Sequence, residues 1–92
     1  MSEILKIHAI FKGRVQGVCF RATAKEIAQE LNITGTVKNL YDGTVEIYAQ
    51  GLKSQLEHFL GHLQKSFPQS FVSYNFIKTS QKFTDFSIIY GV

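Results

Sequence analysis

The spacing of apolar residues along this chain switches repeatedly between the period of a strand and the period of a helix. Apolar side chains alternate over Leu5–Phe11, which predicts a half-buried first strand that ends at Gly13. A helical stripe begins at Phe20, and Asn32 followed by Gly35 indicates where this first helix stops. The stripe consists of Phe20, Ala24, Ile27, Ala28 and Leu31.

A hairpin is predicted after this helix. Thr36–Leu40 and Thr44–Gln50 have the composition of two strands, and Tyr41-Asp42-Gly43 joins them. The Asp-Gly pair favours a tight hairpin because glycine accepts the positive φ that the turn requires. Asn39 lies just before this turn, on a strand that we expect to neighbour the first strand or to lie one strand away.

The last third of the chain predicts one more helix and two strands. A second apolar stripe runs through Leu52–Leu63 and ends near Phe67-Pro68. Ser70–Thr79 is predicted as a fourth strand and Thr84–Tyr90 as a short fifth. The order βαββαβ plus a short fifth strand predicts a single α+β domain over residues 1–92, a ferredoxin-like α/β sandwich. Both helices then cover one face of an antiparallel-type sheet, because each must bury its stripe.

Charge and cysteine content limit the classes of function. Ten basic and seven acidic residues give a net charge of +3, and no Lys/Arg run marks a nucleic-acid or membrane stripe. A diffuse positive field suits a small anionic ligand. The chain has one cysteine, which cannot form an internal disulfide, and its beginning lacks a long apolar segment. We therefore expect a cytoplasmic protein that binds neither nucleic acid nor membranes.

The segment Gly13–Arg21 joins the first strand to the first helix. A glycine-containing turn lets successive N–H groups converge on an anion, the helix N-terminus adds a partial positive charge, and arginine supplies a planar charged fork. The segment lacks the Gly-Lys-Ser/Thr ending of a P-loop. The segment either binds an anion with its backbone or is a plain connection between strand and helix. Arg21 favours anion binding, because a positive charge in the first turn is repelled by the positive end of the helix dipole unless an anion balances it.

Two further residues near this segment each have two interpretations. Asn39 either bonds to local backbone, as asparagines beside turns commonly do, or holds a water molecule by its amide donor and acceptor. Cys19 is either a nucleophile or a small buried hydrophobe, and the second is favoured because no histidine lies near it in sequence to activate the thiol.

Histidines and aromatic residues elsewhere favour structural roles. His58 and His62 have the spacing of a zinc pair, but Phe59 replaces the glutamate of the metalloprotease pattern, and both histidines are predicted to face solvent. The late aromatic residues suggest a base-stacking surface or core packing, and core packing is favoured because Thr44–Tyr48 does not match the RNA-recognition signature. These aromatic residues are Phe71, Tyr74, Phe76, Phe83, Phe86 and Tyr90.

Two ungapped stretches closely resemble the acylphosphatase family: Gly13-Arg14-Val15-Gln16-Gly17-Val18-Cys19-Phe20-Arg21 and Gly35-Thr36-Val37-Lys38-Asn39-Leu40-Tyr41-Asp42-Gly43-Thr44-Val45-Glu46. The resemblance implies that Arg21 binds a phosphate and that Asn39 positions the attacking water. It also implies that a loop cradles the phosphate, formed by Arg14, Val15, Gln16, Gly17, Val18, Cys19 and Phe20. The chain departs from the family pattern at Thr36, at Ile89 and in the tail Gly91-Val92.

The resemblance further implies a hydrolase without metal or cofactor. Its substrate is a small acyl phosphate, its products are a carboxylate and inorganic phosphate, and it acts as a monomer. The alternative from another class is a noncatalytic anion-binding or RNA-binding module on the same fold, which hosts many functions.

Overall fold

A computed structural model describes residues 3–78 and 80–90 of the chain. The elements in this part are β1 (Ile4–Gly13), α1 (Phe20–Glu30), β2 (Thr34–Asn39), β3 (Val45–Leu52), α2 (Lys53–Ser66), β4 (Ser70–Ile77) and β5 (Phe86–Ile89). The predicted order of elements and the ferredoxin-like α+β architecture are confirmed. Thr79, predicted to end the fourth strand, and the tail Gly91-Val92 lie outside the described residues.

The strands form one sheet in the order β4-β1-β3-β2-β5. All neighbouring strands are antiparallel except β5, which runs parallel to β2 at the edge of the sheet. The sheet is therefore mixed, a detail that the predicted antiparallel arrangement did not include. β2 lies one strand away from β1, and the strands β1, β2 and β5 all end at the same end of the sheet.

Both helices pack on one face of the sheet, where their apolar stripes meet the inward side chains of the central strands. The buried positions of α1 and α2 match the predicted stripes; they are Phe20, Ala24, Ile27 and Ala28 on α1, and Leu56, Phe59, Leu60 and Leu63 on α2. Asn32, where the first helix is predicted to stop, has a φ of 58°. Gly43, in the predicted hairpin turn, has a φ of 89°, so both residues adopt left-handed backbone. No helix in the described ranges is long and apolar enough to cross a membrane.

The predicted burial of the late aromatic residues is wrong for most of them. Phe86 is buried and Phe83 is half-buried, but Phe71, Tyr74, Phe76 and Tyr90 are exposed. The physical reason for the three on β4 is that this strand lies at the edge of the sheet. Residue spacing predicts which face of a strand a side chain occupies, but not whether a helix extends far enough to cover that face.

Candidate active site

A cleft of about 320 Å³ opens where β1, β2 and β5 end. It is lined by Val15, Gly17, Cys19, Phe20, Arg21, Ala22, Asn39, Ile88 and Tyr90. The fold thus brings the loop after β1, the last residue of β2 and the end of the chain's fifth strand into one concave site. Arg21 and Asn39, which are distant in sequence, lie in this same cleft.

The loop between β1 and α1 turns sharply at Gly13, which has a φ of 95°. A side chain at this position would collide with the backbone carbonyl oxygen of Gln69, on the segment that leads into β4. That same oxygen accepts a hydrogen bond from the Arg14 N–H at 3.2 Å, and the Val15 N–H donates to the Gly13 oxygen at 3.0 Å. Glycine is therefore required here for a close backbone approach that fixes the start of the loop.

The amides beyond this point remain available. In the described part of the chain, none of the N–H groups of Gln16–Cys19 donates to a backbone carbonyl. Gly17 and Cys19 have φ values of 73° and 63°, so the backbone curls through the left-handed region before α1 begins. The N–H groups of the first helical turn are free of intrahelical partners as well, and the helix dipole is positive at this end. The loop and helix together form a concave surface of amide donors suited to an anion.

Buried side chains hold this loop against the core. Val15 and Phe20 are each 1% exposed. The ring of Phe20 packs between Phe11, at a centroid distance of 4.9 Å, and Phe67, at 4.8 Å. Apolar anchors at both ends therefore hold the intervening segment against the core.

Gln16 ties the loop to the β2–β3 hairpin. Its side-chain amide Nε2 donates to the carbonyl oxygens of Leu40 at 2.9 Å and Thr44 at 2.8 Å. These two residues flank the turn, and Leu40 directly follows Asn39. The contact fixes the position of Asn39 relative to the loop amides.

Asp42 stabilises the turn from within. Its Oδ1 accepts hydrogen bonds from the hydroxyl of Thr44 at 2.5 Å and from the backbone N–H of Thr44 at 3.1 Å. These bonds, and to a lesser extent the positive charge of Lys12, lower the pKa of the Asp42 carboxyl below its usual value of 3.8.

Arg21 lies in the first turn of α1 and is half-buried. Its guanidinium carbon lies 5.1 Å from the ring centroid of Tyr90, within the range of a cation–π contact. Among the described residues, Arg21 forms no ion pair with a carboxylate. A charged fork therefore faces the cleft with an aromatic ring against it, and no carboxylate of the described residues pairs with it.

Asn39 ends β2 with its side-chain oxygen Oδ1 buried and without a hydrogen-bond partner in the described residues. The commoner role for such an asparagine, accepting a bond from local backbone, is not what this oxygen does. An unpaired buried acceptor costs about 1–3 kcal/mol, so a water or ligand in the cleft is the natural partner. Gln50 Oε1 is also buried and unpaired, but it lies near the opposite end of β3.

The loop residues implied by the resemblance take different positions. Val15, Gly17, Cys19 and Phe20 line the cleft. Arg14 and Val18 instead line a separate shallow groove beside Phe67, Pro68 and Gln69, and Gln16 acts through its contact with the hairpin.

Three residues of the cleft were missed by sequence reasoning, and one prediction near it is wrong. Ala22, Ile88 and Tyr90 also line the cleft, although the sequence placed Tyr90 in the core. Cys19 is exposed rather than buried. Its left-handed backbone turns the residue away from the core, and no local sequence signal marks that conformation in a non-glycine residue.

A wider depression of about 580 Å³ lies along α2 and contains His58, Gly61, His62, Lys65 and Ser66. Both histidines are exposed, as predicted, and their rings lie 6.2 Å apart. The depression lacks the amide cradle and the buried unpaired acceptor found at the other cleft. The strand-end cleft is therefore the better candidate for chemistry.

Comparison with known proteins identifies the family to which this chain is similar. The acylphosphatase family model matches residues 7–88. An acylphosphatase of Lactobacillus gasseri is 48% identical over 83 residues, which cover 85% of this chain and 90% of the relative.

Solved structures agree. The crystal structure of acylphosphatase from Bacillus subtilis has a TM-score of 0.86 and 35% identity, covering 94% of this chain and 99% of that one. An acylphosphatase from Coxiella burnetii has a TM-score of 0.84 and 34% identity, covering 94% of this chain and 93% of that one.

Proposed function

The chain belongs to the acylphosphatase family and hydrolyses acyl phosphates, and on that premise we propose which residues carry the reaction. Arg21 and the N–H groups of Gln16–Cys19 bind the phosphoryl oxygens, and Asn39 positions the attacking water. The observation that supports this assignment best is that one cleft contains both Arg21 and the buried Asn39 Oδ1. Within residues 3–78 and 80–90, the arginine has no acidic partner and the amide oxygen has no hydrogen-bond partner.

The phosphoryl group requires charge stabilisation more than proton transfer. An acyl phosphate already has a carboxylate as its leaving group, so the departing oxygen needs little protonation. The guanidinium fork and the converging amides neutralise the charge on the three phosphoryl oxygens in the transition state. The site therefore needs no general acid, and we propose that it works without metal or thiol chemistry.

The water molecule is held on the other side of the phosphorus. Asn39 Oδ1 accepts a hydrogen bond from it, which orients a lone pair of the water toward phosphorus in line with the leaving group. The new P–O bond forms as the bond to the acyl oxygen breaks, and the acyl oxygen leaves with the electron pair as a carboxylate. One proton of the water passes to a phosphoryl oxygen and the other stays on the incoming oxygen, which yields inorganic phosphate.

Substrate class follows from this chemistry. Alkyl phosphate monoesters expel a poorly leaving alkoxide and would need an acid that the proposed mechanism does not use. We therefore propose a strong preference for acetyl or benzoyl phosphate over glycerol phosphate, and comparable kcat/KM values for the two classes would contradict it.

The whole catalytic set comes from one copy of the chain, so we propose that a monomer is active. The substrate is a small molecule, and neither nucleic acid nor membrane takes part. The free thiol of Cys19 at the mouth of the cleft supports a cytoplasmic location, where thiols stay reduced.

The decisive experiment separates the two catalytic residues. Arg21→Gln should weaken binding of inorganic phosphate and also lower turnover, and Arg21→Lys should be impaired because a point charge cannot replace the fork. Asn39→Ala should lower kcat by a factor on the order of 10² while phosphate affinity stays nearly unchanged. Calorimetry measures phosphate binding, and steady-state hydrolysis of benzoyl phosphate measures turnover.

Two control variants make similar changes at residues outside the cleft. Lys25→Gln removes the same charge one turn further along α1, and Asn75→Ala removes an exposed amide from β4. Both controls should behave as the wild type. Normal turnover in Asn39→Ala would remove this residue from the mechanism, and unchanged phosphate affinity in Arg21→Gln would move the anion site elsewhere.

A further inference from the structure

Two of the chain's three histidines, His58 and His62, line the depression of about 580 Å³ along α2. They are four residues apart, so their side chains lie one turn above the other on the same face of the helix. Both are exposed, and their ring centroids are 6.2 Å apart. Within the described residues, neither ring forms a hydrogen bond or an ion pair, whereas the third histidine, His8, bonds to Glu46 at 2.8 Å. The nitrogens of His58 and His62 are therefore available to a ligand from solution.

Gly61 lines the same depression and keeps it open. A Cβ at this position would meet no atom within 4 Å, and the glycine does not have a left-handed backbone. Neither packing nor backbone conformation requires glycine here, although glycine is among the least favourable residues inside a helix. The missing side chain instead leaves space beside both imidazole rings for an ion and its water ligands.

The spacing of the two rings suits a shared metal ion. Imidazole nitrogen is a preferred ligand of Cu²⁺, Ni²⁺ and Zn²⁺, and histidines at positions i and i+4 of a helix can share one such ion. Two rings that bind an ion through nitrogens about 2.0 Å from it have centroids roughly 4.5–6.3 Å apart, depending on the angle at the ion. The observed separation of 6.2 Å lies at the upper end of this range. Small rotations of the two exposed side chains therefore bring both rings into coordination geometry.

We propose that His58 and His62 together bind one divalent transition-metal ion, Cu²⁺ most tightly, through one ring nitrogen each. Among residues 3–78 and 80–90, no group of three or more His, Cys, Asp or Glu side chains could hold a metal. Water therefore fills the remaining coordination positions, and the affinity follows the general order in which Cu²⁺ exceeds Ni²⁺ and Zn²⁺. Mg²⁺ and Ca²⁺, which prefer oxygen ligands, are not bound. The depression shares no residue with the strand-end cleft, so the ion takes no part in the proposed hydrolysis.

Two opposing charges act on a cation in this depression. The depression extends to Ser66, the last residue of α2, where the negative end of the helix dipole attracts a cation. The ammonium group of Lys65, which also lines the depression, repels it. We therefore expect Lys65→Gln to tighten metal binding by roughly threefold, since this change removes the repulsion and keeps the dipole.

Calorimetric titration with CuCl₂ tests the proposal in a Cys19→Ala background, which removes the exposed thiol as a competing ligand. One ion should bind per chain. His58→Ala and His62→Ala should each weaken the affinity by about tenfold or more, because the second nitrogen on the same helix face binds the ion at high effective concentration. His8→Gln is the matched control and should bind the ion as the background protein does. Circular dichroism and hydrolysis of benzoyl phosphate should be unchanged in all three histidine variants.

Moving the second histidine tests whether both must lie on one helix face. The double variant His62→Ala/Gln64→His keeps three histidines, but residue 64 lies about 240° around the helix from residue 58. It should bind Cu²⁺ as weakly as His62→Ala does. Thermal melts add a second measurement: Cu²⁺ and Zn²⁺ should raise the Tm, because the folded helix holds the pair together, and Mg²⁺ should not.

Several outcomes would overturn the proposal. Full Cu²⁺ affinity in either alanine variant, or its loss in His8→Gln, would place the ion elsewhere on the protein. Full affinity in the double variant would mean that any exposed histidine suffices and that the two rings do not act as a pair. An absence of Cu²⁺ binding up to about 1 mM would exclude the site altogether.

Discussion

Cys19 combines a left-handed backbone with a position at the mouth of the cleft. Its φ of 63° is uncommon for a residue with a side chain, and the residue forms the N-cap of α1 without a side-chain hydrogen bond. The proposed mechanism uses the curvature of its backbone and the N–H groups around it, not the thiol. In the proposed mechanism, Cys19 therefore contributes the shape of its backbone and not the reactivity of its thiol.

The thiol should be dispensable for hydrolysis. Cys19→Ala keeps Cβ and hence the same backbone preference, so the amide cradle should persist and kcat/KM should stay within about twofold of the wild type, as for most exposed substitutions. Steady-state hydrolysis of benzoyl phosphate, with and without a metal chelator, measures this. A folded Cys19→Ala protein that no longer turns over substrate would assign the thiol a chemical role.

Tyr90 marks the limit of prediction at the level of single residues. Sequence spacing placed it in the core with Phe86, but Phe86 is 2% exposed and Tyr90 is 70% exposed, with its ring against Arg21. Arg21 and Asn39 were found because whole stretches around them resemble a known family. Tyr90 has no such signal, since its contact with Arg21 exists only after β5 has paired with β2 and brought the two together.

At the level of elements, the contact between the β1–α1 loop and the β2–β3 hairpin depends largely on the side chain of Gln16. Gln16→Ala removes the two hydrogen bonds that the side-chain amide donates to the carbonyl oxygens of Leu40 and Thr44. This change should lower the free energy of unfolding by about 1–3 kcal/mol. It should also lower kcat, because Asn39 is no longer held at a fixed distance from the loop amides. Urea unfolding and steady-state kinetics measure the two effects.

The conservative change Gln16→Glu makes this prediction sharper. A carboxylate has the shape of the amide but no donor for the two carbonyl oxygens, and it adds negative charge beside the phosphate site. It should therefore be more harmful to activity than alanine. Gln29→Ala, on the exposed side of α1, is the control that should change neither quantity; full activity in Gln16→Glu would show that the loop and hairpin keep their positions without this contact.

The hairpin should also respond to acid. The pKa of Asp42 is lowered in the folded protein, so its interactions with Thr44 stabilise the fold above the ordinary carboxyl pKa of 3.8 and are lost as the pH falls through the lower folded value. Asp42→Asn cannot titrate. Its free energy of unfolding should consequently fall less than that of the wild type roughly between pH 5 and pH 2, a range that begins above the ordinary carboxyl pKa of 3.8 and ends below it. Chemical denaturation at a series of pH values measures the difference, and equal acid sensitivity would contradict it.

Local patterns predicted the helices and the hairpin because short-range chemistry determines them. The stripes of α1 and α2, the stop at Asn32 and the Asp-Gly turn each depend on residues a few positions apart. The parallel pairing of β5 with β2 and the exposure of β4 depend instead on where distant segments meet. The spacing of apolar residues does not indicate which strand lies at the edge of the sheet. These features were therefore not predicted from the sequence.

At the level of the whole molecule, the cleft contains a positive charge that no carboxylate of the described residues neutralises. Arg21 forms no ion pair in the described part of the chain, the loop amides lack backbone acceptors, and the protein as a whole has a charge of +3. We therefore expect such a site to bind an anion, because little has to be rearranged or displaced when the anion arrives.

Inorganic phosphate should therefore stabilise the folded protein by linkage. A ligand at 100 times its Kd that binds only the folded state adds about 2.7 kcal/mol to the free energy of unfolding. For a domain of this size the corresponding rise in Tm is on the order of 10 °C. Thermal melts in phosphate, compared with melts in sodium chloride of equal ionic strength, separate specific binding from screening. Arg21→Gln should lose most of the rise and Lys25→Gln should keep it, whereas equal rises in phosphate and chloride would mean that the cleft does not bind the anion.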